Sequence, residues 1–232
     1  MEHNIAERLN SAYSQMAEIQ QHHAIQHPVT LVAVSKTKPT AAIRSAFAAG
    51  QTVFGENYVQ ELVTKALELS DIPQLEWHFI GPIQSNKTRD IARYAAWVHS
   101  IDRLKIAERL AAHRSPTAPP LRVLIQVNIS DEDSKAGVAP SEVLPLARHI
   151  AALPTLQLKG LMTIPAPAHN GDNSAAFTAM QQLSLQLQAE FSDATELSMG
   201  MSDDWQQALT FGATMIRLGT AIFGARGSQI HE

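Results

Sequence analysis

A lysine directly after the first apolar run of the chain is the strongest candidate for covalent chemistry. Lys36 follows residues 31–34 and Ser35. If that run is a barrel strand, the lysine side chain lies in the barrel mouth, where partial loss of water favours the uncharged amine. An uncharged amine can attack an aldehyde and form a Schiff base. The alternative is a solvated lysine just beyond the end of the strand.

A serine- and glycine-containing segment near the C-terminus is a candidate phosphate site. Residues 198–202 read Ser-Met-Gly-Met-Ser and predict a strand that passes into a helix. Gly200 permits close approach of a ligand, Ser202 can cap the helix, and free amides at a helix start favour an anion. The alternative is a capping serine without a ligand. Asp203 and Asp204 support that alternative because they already place negative charge at this helix end.

Arg217 lies inside an apolar run, residues 215–223, that predicts a buried strand. A buried arginine needs an acceptor, so it either pairs with a carboxylate or contacts a ligand. For a lone arginine the internal salt bridge is the more common arrangement. Gly219 and Thr220 follow closely and offer an amide and a hydroxyl to a phosphate.

Two further polar residues at predicted strand ends, Asn57 and His78, are candidate ligand contacts. A histidine between Trp77 and Phe79 is more often a hydrogen-bonded core residue. The sequence contains no cysteine, which excludes disulfides, thiolate nucleophiles and cysteine-ligated metals. We find no histidine spacing that predicts a metal site, and no phosphate-binding or dinucleotide-binding glycine motif.

Composition and charge indicate an ordinary globular protein. The chain has 232 residues, of which 45% are hydrophobic, and a formal net charge of -4. That charge argues against a general nucleic-acid binder, which needs a basic face. The N-terminus lacks the features of a secretory signal, and no apolar run approaches the ~18 residues of a membrane span. We therefore expect a cytoplasmic protein without membrane or nucleic-acid partners.

Eight apolar runs, mostly continuous rather than alternating, predict strands that are buried on both faces. They are residues 31–34, 52–54, 77–80, 97–101, 123–129, 158–164, 197–201 and 215–223. Helical patterns lie between them, at residues 41–49, 59–69, 91–96, 104–113, 143–153, 175–191 and 205–211. This alternation predicts a single (β/α)8 TIM barrel over residues 1–232, with an extra N-terminal helix within residues 1–26 packed on the barrel.

A barrel of this kind carries its chemistry at the C-terminal ends of its strands. All the candidate residues above lie at or near such ends. The acidic loop at residues 131–135 is predicted to be solvated and can cover the mouth.

Together these segments resemble the YggS/PROSC family of pyridoxal 5′-phosphate (PLP) homeostasis proteins. The match runs in order from about residue 30 to 225 and rests on the joint occurrence of its segments, not on any one of them. The segments are residues 32–36, 54–58, 77–81, 84–87, 126–129, 135–137, 160–162, 198–204 and 217–224.

The resemblance implies a fold like the barrel domain of alanine racemase, with PLP held in the mouth. It implies that Lys36 forms the internal aldimine and that Arg217 faces the pyridine nitrogen. It further implies that Ser202, Gly219 and Thr220 bind the phosphate of PLP, and that Asn57 and His78 are contacts in the pocket.

The family is described as binding PLP without an established reaction and as influencing vitamin B6 and amino-acid balance. Racemisation needs a base on each face of the substrate, and in alanine racemases the second base is a tyrosine from a second domain. We expect no second domain here, and of three tyrosines only Tyr58 is near a predicted strand end. Arginine also cannot give a proton to the ring nitrogen under ordinary conditions.

The sequence therefore predicts a non-catalytic PLP carrier or regulator that is a monomer, with apo PLP-dependent enzymes as candidate partners. The alternative is a PLP-dependent amino-acid racemase or lyase of low activity. A third hypothesis is an interaction protein that uses bound PLP only as a sensor.

Overall fold

Parallel strands follow one another around a closed barrel, in chain order, and the last pairs with the first. The computed structural model describes residues 2–133, 136–168 and 170–225. The strands within these residues are β1 (Thr30–Val34), β2 (Val53–Glu56), β3 (Glu76–Phe79), β4 (Trp97–Ile101), β5 (Leu121–Val127), β6 (Leu156–Thr163), β7 (Glu196–Ser198) and β8 (Met215–Leu218). The predicted (β/α)8 barrel is confirmed.

Helices cover the outside of the barrel and return the chain to the start of the next strand. They are α1 (Glu2–His22), α2 (Thr40–Ala48), α3 (Val59–Glu68), α4 (Thr88–Tyr94), α5 (Leu104–His113), α6 (Val143–Ala151), α7 (Ser174–Glu190), α8 (Trp205–Thr210) and α9 (Thr220–Phe223). In the part of the chain that the structure describes, no helix is long and apolar enough to cross a membrane.

The first helix precedes the barrel and packs against α2, α8 and α9. Its inner face is apolar at helical spacing, with Leu9, Ala12 and Met16 buried. The following α2 begins after Pro39 and ends before Gly50, which adopts a φ of +100° that favours glycine.

The end of the last strand differs from the sequence prediction. We expected a strand over residues 215–223, but β8 ends at Leu218 and residues Thr220–Phe223 form α9. A continuous apolar run fits a short buried strand followed by a helical turn equally well, because Ile222 is buried from the helix. The prediction for residues 197–201 was also too long, since β7 ends at Ser198, before Gly200 with its φ of +103°.

The two faces of the strands bury different kinds of side chains. Leu31 and Ala33 of β1 belong to the large apolar cluster between strands and helices, whereas Val32 and Val34 do not. The interior of the barrel holds a small apolar cluster of Trp97, Leu124, Met162 and Met215. Buried polar side chains share this interior, and they connect to the mouth.

Candidate functional site

Lys36 continues the inward-facing series of β1. Side chains alternate along a strand, so the position two residues beyond Val34 lies on the interior side, at the C-terminal end of the barrel. The lysine is half-buried, and its amine has no hydrogen bond or ion pair with any described residue. Lys36 therefore places a primary amine at the mouth that is not used by the fold.

The backbone before Lys36 is held by a buried ion pair that the sequence analysis did not identify. Lys65 of α3 donates from Nζ to the carbonyl oxygen of Ser35 and to Oε1 of Glu56, each at 2.7 Å. The hydroxyl of Ser35 donates to the same carboxylate oxygen at 2.6 Å. Burial raises the pKa of the Glu56 carboxyl, and the charge of Lys65 partly offsets this.

The backbone after Lys36 is held by the same helix. Thr37 has a φ of +63°, an uncommon value for a threonine, and its N–H donates to Oε1 of Glu61 at 2.8 Å. Glu61 also pairs with Lys65 one helical turn away, at 3.1 Å. Helix α3 therefore fixes the chain on both sides of Lys36.

The loops after β7 and β8 bring two hydroxyl groups together. Oγ of Ser202 lies 3.3 Å from Oγ1 of Thr220. Gly219, next to Thr220, packs on the end of β1: a Cβ built there would lie 3.6 Å from Cβ of Val34. The three residues predicted to bind phosphate therefore lie close to the strand that carries Lys36.

The sequence allowed Ser202 to cap α8, but the structure shows that it does not. The residue before α8 is Asp204, which occupies the N-cap position. One carboxylate oxygen of Asp204 accepts the N–H of Met201 at 2.8 Å, and the other accepts from the side chain of Asn173 at 2.8 Å. The Asp204 carboxylate thus folds its own loop, and the hydroxyl of Ser202 is free to face Thr220.

Arg217 is 3% exposed and lies near the C-terminal end of β8. Its guanidinium donates to Oγ of Ser198 at 2.6 Å and to the carbonyl oxygen of Thr163 at 3.0 Å. Among the described residues, no carboxylate forms an ion pair with it, so the expected internal salt bridge is not observed. These contacts use two of its five N–H donors.

Burial lowers the pKa of Arg217 to about 10, and the charge of Asp204 acts in the opposite direction. The guanidinium therefore remains charged at neutral pH. A buried positive charge without a carboxylate partner is costly, and such a charge favours an acceptor supplied by a ligand.

His78 is fully buried, and both of its ring nitrogens bind protein groups. Nδ1 lies 2.8 Å from Nε2 of His99, and Nε2 lies 2.8 Å from Oε1 of Glu76. The ring also stacks on Trp97 at 5.4 Å. The predicted ligand contact of His78 stays a prediction. Because both ring nitrogens are already hydrogen-bonded, neither is free to bind a ligand.

Asn57 directly follows β2, and its Oδ1 is buried without a hydrogen-bond partner. A buried carbonyl oxygen without a partner is uncommon and marks a position where a ligand or water can donate. The backbone beside it is tightly packed, since a Cβ built on Gly81 would lie 2.0 Å from the carbonyl oxygen of Asn57.

The remaining sequence predictions concern the acidic loop, Tyr58 and a metal site. Lys135, from the segment at residues 135–137, lies outside the described residues, as does part of the loop at residues 131–135. Tyr58 follows Asn57 and is 53% exposed. Within the described residues, no group of three or more histidine and carboxylate side chains is arranged to hold a metal ion.

The donor set of the mouth fits PLP. The amine of Lys36 suits an aldehyde carbon, the hydroxyls of Ser202 and Thr220 suit a phosphate, and the guanidinium of Arg217 suits the lone pair of a ring nitrogen. The unpartnered oxygen of Asn57 leaves room for one more polar contact.

The class of protein is that of the alanine racemase barrel: the family model described as "Alanine racemase, N-terminal domain" matches residues 8–227. Among curated proteins, the pyridoxal phosphate homeostasis protein of Pseudomonas aeruginosa is 52% identical over 225 residues, covering 96% of each chain. The Haemophilus influenzae protein of the same name is 55% identical over 206 residues, covering 87% of this chain and 86% of its own.

Solved structures agree with this result. PipY of Synechococcus elongatus, solved with PLP bound, has a TM-score of 0.83 and 40% identity, covering 95% of this chain and all of its own. Alanine racemase of Corynebacterium glutamicum has a TM-score of 0.65 at 19% identity and is covered over 63% of its length, which shows the shared fold alone. The chain therefore belongs to the family of pyridoxal phosphate homeostasis proteins, as its sequence motifs predicted.

Proposed function

We propose that this protein binds PLP in the barrel mouth as a Schiff base on Lys36 and serves PLP and amino-acid homeostasis as a non-catalytic carrier. The observation that carries the proposal is the free amine of Lys36 at the same mouth as a buried, carboxylate-free Arg217. PLP bound to PipY, a relative of 40% identity, supports it.

The covalent step needs the uncharged amine of Lys36. The nitrogen lone pair would attack the aldehyde carbon of PLP, a C=N bond would replace the C=O bond, and the carbonyl oxygen would leave as water with the two amine hydrogens. The reaction is reversible by hydrolysis or by a second amine, which suits a carrier. The hydrogen bonds from α3 to the backbone of Ser35 and Thr37 hold the backbone of Lys36 in place while the Schiff base forms and while it is hydrolysed.

The phosphate is assigned to the loops after β7 and β8. The hydroxyls of Ser202 and Thr220, 3.3 Å apart, can donate to one phosphate, and the backbone at Gly219 can approach it closely. Phosphate sites of TIM barrels commonly use these two loops. Oδ1 of Asn57 completes the proposed set of contacts, and any role of His78 is indirect, because its ring is fully buried and both ring nitrogens bind His99 and Glu76.

Arg217 limits what a bound PLP can do. PLP supplies an electron sink for carbanions, and the sink is strongest when its ring nitrogen is protonated. The guanidinium can donate a hydrogen bond to that nitrogen but does not give up its proton at neutral pH. The proposed contact therefore gives a weaker electron sink; racemases share this feature, so it does not by itself exclude catalysis.

Racemisation also needs a base on the other face of the substrate, and a tyrosine is the candidate for that base. Tyr13 lies in α1 and its hydroxyl donates a hydrogen bond to Gln51, and Tyr94 lies in α4. Of the three tyrosines, Tyr58 alone is therefore at a strand end. The alternative function is a PLP-dependent racemase or lyase of low activity. Incubation with a panel of L-amino acids separates the two: sustained turnover at ordinary enzyme rates would support the enzyme and reject the carrier.

The proposed setting is the cytoplasm, with apo PLP-dependent enzymes as recipients and the protein acting as a monomer. The third hypothesis, a sensor whose protein partners depend on PLP, is tested by a partner screen with and without PLP. A partner set that does not change with PLP counts against sensing.

The deciding experiment is borohydride reduction of the PLP-loaded protein followed by peptide mass spectrometry. We expect a stable adduct on Lys36 and loss of the visible absorbance band. Lys36→Ala should lose the reducible chromophore and keep its fold by circular dichroism, whereas Lys38→Ala, two residues away, should keep both. An adduct on another peptide, or a chromophore in Lys36→Ala, would overturn the assignment.

A further inference from the structure

A continuous line of hydrogen-bonded polar groups, buried except at its Glu76 end, crosses the interior of the barrel. Nη1 of Arg217 lies 2.6 Å from Oγ of Ser198, and that oxygen lies 2.9 Å from Nδ1 of His99. Nε2 of His99 lies 2.8 Å from Nδ1 of His78, whose Nε2 lies 2.8 Å from Oε1 of Glu76. Because Glu76 begins β3 and Arg217 lies near the end of β8, the line joins the mouth to the opposite end of the barrel.

The two ends of the line fix the position of every hydrogen in it. The guanidinium only donates, so Ser198 accepts from Arg217. The carboxylate of Glu76 only accepts, so the proton of His78 is on Nε2 and its Nδ1 accepts from Nε2 of His99. Nδ1 of His99 then accepts the hydroxyl proton of Ser198. All four donors point from the mouth toward Glu76.

The surroundings keep both rings neutral and in place. Burial lowers the pKa of His78 and holds that of His99 well below its usual range. Trp97 stacks on His78 with an interplanar angle of 16°, and the guanidinium of Arg122 covers the indole at 4.9 Å. The hydrogen bond from His78 lowers the pKa of the Glu76 carboxyl, and the charge of Arg122, 3.6 Å away, acts in the same direction.

We propose that His99 is a positioning residue for the cofactor site: through Ser198 it fixes the guanidinium of Arg217. The aligned hydrogen bonds also couple that guanidinium to the carboxylate of Glu76, at the far end of the barrel. The arrangement stabilises the buried charge with oriented acceptors in place of a direct ion pair. The proposal rests on the proposed function, in which Arg217 contacts the ring nitrogen of PLP.

The first test reads the hydrogens directly and needs no PLP. Nitrogen-15 NMR of the full-length protein reports the protonation of each of its 10 histidine rings. His78→Phe and His99→Phe identify the two signals by their loss. We expect two neutral rings with hydrogen on Nε2. Hydrogen on Nδ1 of either ring, or a doubly protonated ring at neutral pH, would overturn the aligned line.

The second test reads the coupling to the mouth in PLP-loaded protein. Glu76→Gln removes the charge at the far end, and we expect a shifted absorbance maximum and about twofold to thirtyfold weaker PLP binding. The matched control is Glu196→Gln: Glu196 begins β7 at the same end of the barrel but binds Thr214 at 2.6 Å. It should leave spectrum and affinity unchanged.

Ser198→Ala and His99→Phe should shift the absorbance maximum in the same direction as Glu76→Gln, because each breaks the same line. Folded variants that all bind PLP with the parent spectrum and affinity would overturn the coupling and leave the proposed function intact. Conversely, failure of the Lys36 adduct would reject the proposed function, while the ring signals would still report on the line itself.

Discussion

Nζ of Lys65 and Oε1 of Glu56 lie 2.7 Å apart, and both side chains are buried directly behind the strand end that carries Lys36. The pair sits on the helix-facing side of the barrel, so it does not contact the mouth. Nζ of Lys65 also donates to the carbonyl oxygen of Ser35, the residue before Lys36 in the chain. The backbone beside Lys36 is therefore positioned by charges that the side chain of Lys36 does not contact.

Removing one partner of this pair should strongly destabilise the protein. Lys65→Met keeps the length of the side chain but leaves Glu56 buried without its counter-ion. We expect the free energy of unfolding, measured by urea denaturation, to fall by about 3–5 kcal/mol. Arg44→Met is the control, because the exposed pair of Arg44 and Asp71 should contribute little. Equal losses in both variants would contradict the structural role of Lys65.

The barrel and its order of elements could be predicted from sequence because buried parallel strands are continuous apolar runs. The ends of β7 and β8 could not, because an apolar run does not show where a strand becomes a helix. Lys36 and Arg217 were identifiable as a charged residue at the end of an apolar run and one inside such a run. Their positions agree with the predicted mouth, while their roles stay predictions.

The interior line was missed for a physical reason. His99 and Ser198 lie on different strands, and nothing local shows that they share a hydrogen bond 99 positions apart. One signal was available: Glu76 and His78 are two residues apart on β3, so they face the same side, and Trp97 and His99 repeat this on β4. Polar residues at alternate positions of buried strands indicate a polar barrel interior.

Acid should destabilise the protein because His78 and His99 stay neutral when folded. Burial places both folded pKa values below the usual 6.5, so the unfolded chain binds more protons once the pH falls below that value. Their contribution is fully present above about pH 6.5 and is lost as the pH falls toward the folded values. We expect a loss of up to about 1.4 kcal/mol per pH unit for each histidine, measured by urea denaturation.

Variants separate these histidines from other acid effects. Between about pH 6.5 and pH 5, His99→Phe should reduce the slope of the unfolding free energy against pH by about 1.4 kcal/mol per pH unit, which corresponds to one proton. His149→Gln, on the exposed face of α6, is the control for loss of a histidine. A slope that is unchanged in His99→Phe would show that His99 does not titrate on unfolding.

The hydroxyls of Ser202 and Thr220 should contribute to PLP binding through one phosphate. Ser202→Ala and Thr220→Val each remove a donor to a charged group, so we expect about tenfold weaker binding for each. Because both donors face one phosphate, the double variant should deviate from the product of the single effects. Binding is measured by titration of absorbance. Thr210→Val, whose hydroxyl bonds within α8, should bind PLP as the parent does.

Gly81→Ala should disturb the mouth through the backbone of Asn57. The added Cβ would lie 2.0 Å from the carbonyl oxygen of Asn57, a contact that only a backbone shift can relieve. We expect a loss of about 1–3 kcal/mol in the free energy of unfolding, together with weaker PLP binding, because the segment between β2 and α3 must move. Gly219→Ala is the control for stability: its Cβ would lie 3.5 Å from the carbonyl oxygen of Val34, an ordinary contact. If Gly81→Ala unfolds at the same urea concentration as the parent, the close packing of these two loops does not constrain the position of Asn57.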